Sequence, residues 1–146
     1  MRGPYRKRLV QNIPNFKNFK PSGIPRKILK KMELTLDEYE AIRLADYSKL
    51  EHLEASEKMK ISRPTFTRLI DVARQKVATA LIDGMELIIE GGNVDLKNTM
   101  YECQDCGDIQ KSPVEQQSDS CPDCGSPNVE DKSEQFLNNR NDEKKI

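Results

Sequence analysis

Ser62-Arg63-Pro64 restricts this chain more than any other stretch. Proline clashes with the helical turn before it and has no N–H to give, so a helix containing Pro64 must begin within a residue or two of it. Ser62 supplies the cap, because its hydroxyl can accept from a first-turn N–H that lacks a helical partner. Downstream, Phe66, Leu69, Ile70, Ala73, Val77, Ala80 and Leu81 recur at helical spacing along one side. Asp83-Gly84 ends the run, glycine being suited to a left-handed stop. Upstream, Glu51 to Met59 reads as a shorter helix carrying Leu53, Ser56 and Met59 inward, and Lys60-Ile61 is left as a tight turn. A short helix, a tight turn and a long helix make a helix-turn-helix.

The outward residues of the long helix are Arg63, Pro64, Thr67, Arg68 and Asp71, all in its first three turns. That is the surface a helix-turn-helix presents to the major groove. The arginine fork matches guanine O6 and N7, and threonine can donate, accept or touch a thymine methyl. Lys58, Lys60, Arg63, Arg68, Arg74 and Lys76 oppose the single acid Asp71 between positions 58 and 76. The competing reading is an ordinary helical hairpin with a solvated charged face. The cap, the short turn and the basic first turns together favour DNA.

The segments NFKPSGIP, LTLDEYEAIRLADY, ISRPTFTRLIDVARQKVATALIDG and LIIEGG resemble an uncharacterised prokaryotic family of small predicted DNA-binding proteins. The helix-turn-helix of that family is similar to region 4 of sigma factors. The resemblance spans roughly residues 1–92 and implies DNA binding in transcription control. The chain departs from the family in having Glu51 where a Ser or Thr cap is usual, and Lys60 where the turn usually has Gly. A left-handed Lys costs on the order of 1 kcal/mol more than Gly there.

Zero formal charge hides an asymmetry. Residues 1–31 carry ten Lys or Arg and no acid, residues 32–98 carry a net −4, and residues 99–146 a net −6. A basic arm on an acidic body suggests nucleic-acid contact at the arm. Pro14, Pro21 and Pro25 break any continuous helix there, so the arm is expected to be extended, with a short strand near Leu9–Ile13 and a short helix around 26–31. Arg6, Lys7 and Arg8 are its phosphate-binding candidates. Phe16 and Phe19 would anchor it to the core.

Thr35 and Glu38 form a capping box opening a helix to about Tyr47, the third member of a tri-helical unit. His52, the only histidine, reads as a surface residue. Met85 to Glu90 alternates as a strand, with Met85, Leu87 and Ile89 on one face and Glu86, Ile88 and Glu90 on the other. It needs a partner, either Leu9–Ile13 or its counterpart in a second subunit, which would make a homodimer.

Two C-x-x-C-G knuckles, Cys103/Cys106 and Cys121/Cys124, are separated by fourteen residues. Thiolates at that spacing can share one tetrahedral zinc, and the glycine after each pair permits the tight turn. The doubled pattern resembles a zinc ribbon. Iron takes the same ligands; the short spacing favours zinc. A redox pair lacks the strand–helix context. The acidity of the module points to a protein partner and not to phosphate.

The expected fold is therefore mostly α: a tri-helical helix-turn-helix domain with a short strand, plus a small β zinc ribbon. The expected divisions are 1–31 basic arm, 32–92 DNA-binding domain, 93–99 linker, 100–131 zinc ribbon and 132–146 disordered tail, the last being polar without apolar period. No apolar run approaches the roughly 20 residues that span a bilayer, so no membrane is expected and the cytoplasm is the expected compartment. The leading function is a transcriptional regulator that binds double-stranded DNA, with one zinc per chain and Arg63, Pro64, Thr67 and Arg68 in the groove. The alternative is an adaptor binding RNA polymerase or another regulator through the ribbon. Enzymatic activity is not expected, because four cysteines close the zinc sphere and leave no open position.

Overall fold

A computed structural model describes residues 7–114 and 120–137. Arg6 lies outside these residues, as do most of the tail expected to be disordered and part of the loop between the two cysteine pairs.

Three helices build the first core. α1 (Leu36–Ile42) starts at Thr35 with both capping-box bonds in place, as the Thr35/Glu38 pairing predicts. It continues into a π-helical turn over Arg43–Tyr47, closed by the Ser48 N–H donating to the Arg43 carbonyl at 2.8 Å. α2 (His52–Met59) and α3 (Arg63–Asp83) follow. Ala41, Leu44, Ala55, Met59, Phe66, Leu69 and Ile70 pack together from all three. Ser56 and Met59 are buried as expected, whereas Leu53 is exposed and Ala55 is buried in addition. Leu81 is also exposed, because α3 runs on past the helices that cover its first half.

The expectation of a mostly α chain is overturned: the fold is mixed α/β. Among the described residues, eight short strands form three sheets. β1 (Arg8–Val10) pairs in parallel with β5 (Val94–Leu96). β4 (Glu86–Ile89) lies between β2 (Asn18–Phe19), antiparallel, and β3 (Lys31–Leu34), parallel. β6 (Asn98–Cys103) lies between β7 (Ile109–Pro113) and β8 (Val129–Asp131), both antiparallel. The Met85–Glu90 strand therefore pairs with neither expected partner. The short helix expected near 26–31 is a single 3₁₀ turn, Arg26–Ile28, leading into β3. Residues 93–99 are no linker, since β5 and the start of β6 occupy them. β2 and β5 escaped notice because two or three residues are too few to show a period of two.

A second core joins the ends of the chain. Val10 and Ile13 from the arm meet Leu34, Leu36, Ala73, Ile89, Val94 and Met100. Phe136 joins them from α4 (Glu134–Leu137), a short helix in the segment expected to be disordered, and it is almost fully buried. Leu137 packs beside it, so two apolar side chains dock a segment that is otherwise mostly polar. The Gly91 N–H donates to the Phe136 carbonyl at 2.9 Å and secures the docking.

Candidate nucleic-acid interface and metal centre

The turn between α2 and α3 is built as the sequence requires. Ser62 Oγ accepts from the Thr65 N–H at 3.2 Å, and Pro64 occupies the first turn of α3. α2 ends on Lys60, left-handed at φ 58° and ψ 43°. There the Lys60 and Ile61 N–H groups donate back to the Glu57 and Ser56 carbonyls, which closes the helix end although the residue is not glycine.

Phe66, Leu69, Ile70 and Ala73 turn inward, while Arg63, Pro64, Thr67, Arg68 and Asp71 are exposed. The four residues expected in the groove thus share one outward face at the start of α3. The surrounding positive charge is smaller than the composition suggests. Arg74 is paired with Asp46 at 2.7 Å and Lys76 with Glu38 at 2.8 Å. Lys58, Lys60, Arg63 and Arg68 have no ion-pair partner among the described residues.

The arm behaves otherwise than expected. Arg8 is directed inward onto the buried carboxylate of Asp37, at 2.5 Å, and is not offered to solvent as a phosphate ligand. The Gln11 N–H donates to Glu40, which also holds Arg43 in a two-pronged ion pair. That pairing, first through the Glu40 hydrogen bond, raises the Arg43 guanidinium above its usual value. Gly92 lets this corner close: a Cβ there would stand 2.8 Å from Asp37 Oδ1. Lys7 remains exposed, 3.9 Å from the equally exposed Asp95.

Sequence reasoning missed His52. Its Nδ1 lies 2.9 Å from Thr67 Oγ1, and its ring meets Phe66 edge-on with centroids 5.3 Å apart. Fifteen residues separate His52 from Thr67, so only the packing of two helices, and no motif spacing, brings them together.

The second site lies at one end of the β7–β6–β8 sheet. Cys103 closes β6, and the two C-x-x-C turns place all four sulfurs within 4.8 Å of one another. Gly107 and Gly125 adopt φ of 79° and 76°, and their N–H groups donate to the Cys103 and Cys121 carbonyls. Cys103 Sγ is 3.5 Å from Cys124 Sγ, and Cys106 Sγ is 3.6 Å from Cys121 Sγ. A disulfide would need about 2.05 Å, whereas four sulfurs at about 2.3 Å from one ion stand roughly 3.8 Å apart. The arrangement therefore suits four thiolates around one metal.

The protons agree. The Cys106 N–H, first, draws the Cys103 thiol down to about 7. The Asp108 N–H pulls the Cys106 thiol down, but the crowding of the neighbouring thiols outweighs it and pushes Cys106 up to about 12. Thiols this close cannot all lose their protons unless a cation neutralises them. Cys103 and Cys121 are buried, and Cys106 and Cys124 exposed.

Among the described residues, no helix is long and apolar enough to cross a membrane. No solved structure matches the chain. A UPF0251 protein of Chloroherpeton thalassium is 59% identical over 128 residues, 88% of this chain and 85% of that protein. One from Pelotomaculum thermopropionicum is 47% identical over 123 residues, 84% and 92% of the two chains. One from Methanothermobacter thermautotrophicus is 40% identical over 126 residues, 86% of this chain and 65% of that protein. A family model described as "Protein of unknown function DUF134" matches residues 1–97, the segment holding α1–α3 and the core they share, and the chain belongs to that family.

Proposed function

We propose that this protein reads DNA sequence with α3 in the major groove and acts in transcription control, and that the four cysteines hold one structural zinc. The observation that carries the reading is the outward face of α3. Arg63, Pro64, Thr67 and Arg68 stand exposed beside a fixed turn, and neither arginine is drawn into an internal ion pair. Arg63 and Arg68 supply the guanine-reading forks and Thr67 a third contact. Lys58 and Lys60 flank them as phosphate contacts, and Lys7, exposed and only 3.9 Å from the exposed Asp95, is the described member of the arm's phosphate candidates that can join. Cys103, Cys106, Cys121 and Cys124 match the ligand number and softness zinc prefers, and a closed four-sulfur shell makes the site structural.

Selection of bound fragments from random duplex DNA tests the reading. The expected result is a defined sequence whose binding weakens steeply with salt, because bound phosphates release counterions. Arg68→Ala should cost about 1–3 kcal/mol on that sequence and less on random duplex. Binding without sequence preference or salt dependence would overturn the proposal and favour an adaptor that contacts other proteins through the β7–β6–β8 sheet.

A further inference from the structure

His52 is held by two contacts that together fix its ring. The edge-on meeting with Phe66, itself fully buried, sets the ring against the core. The 2.9 Å approach of Nδ1 to Thr67 Oγ1 ties α2 to the outward face of α3. A threonine hydroxyl has one hydrogen to give and two lone pairs, and left free it rotates to suit a donor or an acceptor. Binding to His52 removes that choice.

We propose that His52 is a positioning residue that makes Thr67 an obligate hydrogen-bond acceptor toward the base it meets. The inference rests on the DNA-reading function above. With Nδ1 unprotonated, the Thr67 O–H donates to the imidazole, and only lone pairs face the groove. Those lone pairs can accept from the exocyclic amine of adenine or cytosine. They are repelled by guanine O6 and N7, which are acceptors only, and by thymine O4. His52 thus turns a residue that ordinarily tolerates any base edge into one that discriminates.

The test is fragment selection with the full chain and four variants: His52→Leu, His52→Asn, Thr67→Val, and His52→Leu with Thr67→Val. The native protein should demand adenine or cytosine at one position of its site. His52→Leu should lose roughly ten-fold of that preference at that position alone. Thr67→Val should lose as much, and the double variant no more. His52→Asn, whose amide oxygen can stand near the place of Nδ1, should restore the preference. A merely structural role would instead weaken binding to all sequences alike and would not be rescued. Nitrogen-15 spectroscopy of the free protein should find Nδ1 unprotonated; a protonated Nδ1 overturns the inference without any DNA present. A sharp native site left unchanged by His52→Leu overturns this inference alone. A native protein that selects no sequence overturns the DNA reading and this inference with it.

Discussion

The two hydrophobic cores differ in where their residues come from. The helix-turn-helix core draws on Ala41 to Ile70, thirty consecutive positions. The other core joins Val10 to Phe136 and gathers residues from the arm, three sheets and the last described helix. A local core can be assembled from one amphipathic stretch, whereas a core closed by both ends of the chain depends on everything between them. The proposed DNA-reading face should therefore tolerate damage that the rest of the molecule does not, and each prediction below probes that separation.

The largest effect should follow loss of the metal. Binding of a structural zinc contributes on the order of 10 kcal/mol to the fold it organises. Cys121→Ser should abolish metal retention and unfold the turns around 103–128. Met100 and Phe136 belong to the second core, so protection from hydrogen exchange should also fall at Val10, Ile89 and Val94, while the α1–α3 core stays protected. Metal analysis beside residue-resolved exchange checks this. Full metal retention would refute the site, and equal loss of protection in both cores would abolish the distinction between them.

Next come the two buried rings. Phe66→Ala and Phe136→Ala should each cost about 3–5 kcal/mol by denaturant titration. Phe66→Ala should also impair DNA binding, because the ring supports His52 and the turn. Phe136→Ala should leave DNA binding largely intact in whatever fraction remains folded. A Phe136 variant as stable as the native chain would show that α4 is not part of the core.

A smaller effect concerns Glu86, fully buried in β4 and held by Arg26 at 2.8 Å and Asn18 at 3.0 Å. The sequence pattern placed Glu86 on the strand face opposite Met85, Leu87 and Ile89, and there Asn18 of β2 and Arg26 of the 26–28 turn meet its carboxylate. Arg26→Ala leaves a buried carboxylate short of a donor and should cost about 1–3 kcal/mol. Glu86→Gln should cost less, because the half-exposed Arg26 returns to water and the amide can still bond Asn18. The reverse order would mean that burial, and not pairing, controls the stability of this corner.

The smallest effect is the Asp46–Arg74 pair on the helical core. The Arg74 hydrogen bonds, foremost, hold the Asp46 carboxyl below its usual 3.8. A depressed carboxyl stabilises the fold above its unfolded value and loses that contribution as the pH falls through the folded one. Both side chains are well exposed, so solvent screening limits Asp46→Asn to a few tenths of a kcal/mol at neutral pH. The difference from the native chain should narrow as the pH drops below 3.8. A gap that persists in acid would assign the effect to packing instead.

This division also explains what the sequence made legible. Cap, proline, apolar period and terminal glycine located α3 from Ser62 to Gly84, since each acts within a few residues of itself. The doubled C-x-x-C-G located the four sulfurs for the same reason. The parallel pairs β1–β5 and β3–β4 carry no comparable local mark. Their partners stand more than fifty positions apart, and of their apolar side chains only Val10, Leu34, Ile89 and Val94 are buried. Arg8 shows the difficulty most clearly: among so many basic neighbours, nothing in the sequence distinguishes the one that Asp37 takes. The pairing of His52 with Thr67 was hidden likewise, because a histidine on a helix's first turn acquires meaning only from the helix packed against it.

The parallel pairing of Arg8–Val10 with Val94–Leu96 also sets a schedule for the chain as it is made. The arm leaves the ribosome early, yet its strand has nothing to join until its partner follows more than eighty residues later. At roughly 5–20 residues per second, that wait lasts on the order of ten seconds. The helical head can form during the interval, and Val10 and Ile13 must meanwhile stay in water as an unpaired edge, the kind of segment that drives aggregation. Ten positive charges with no acid among the first 31 residues keep neighbouring nascent arms apart.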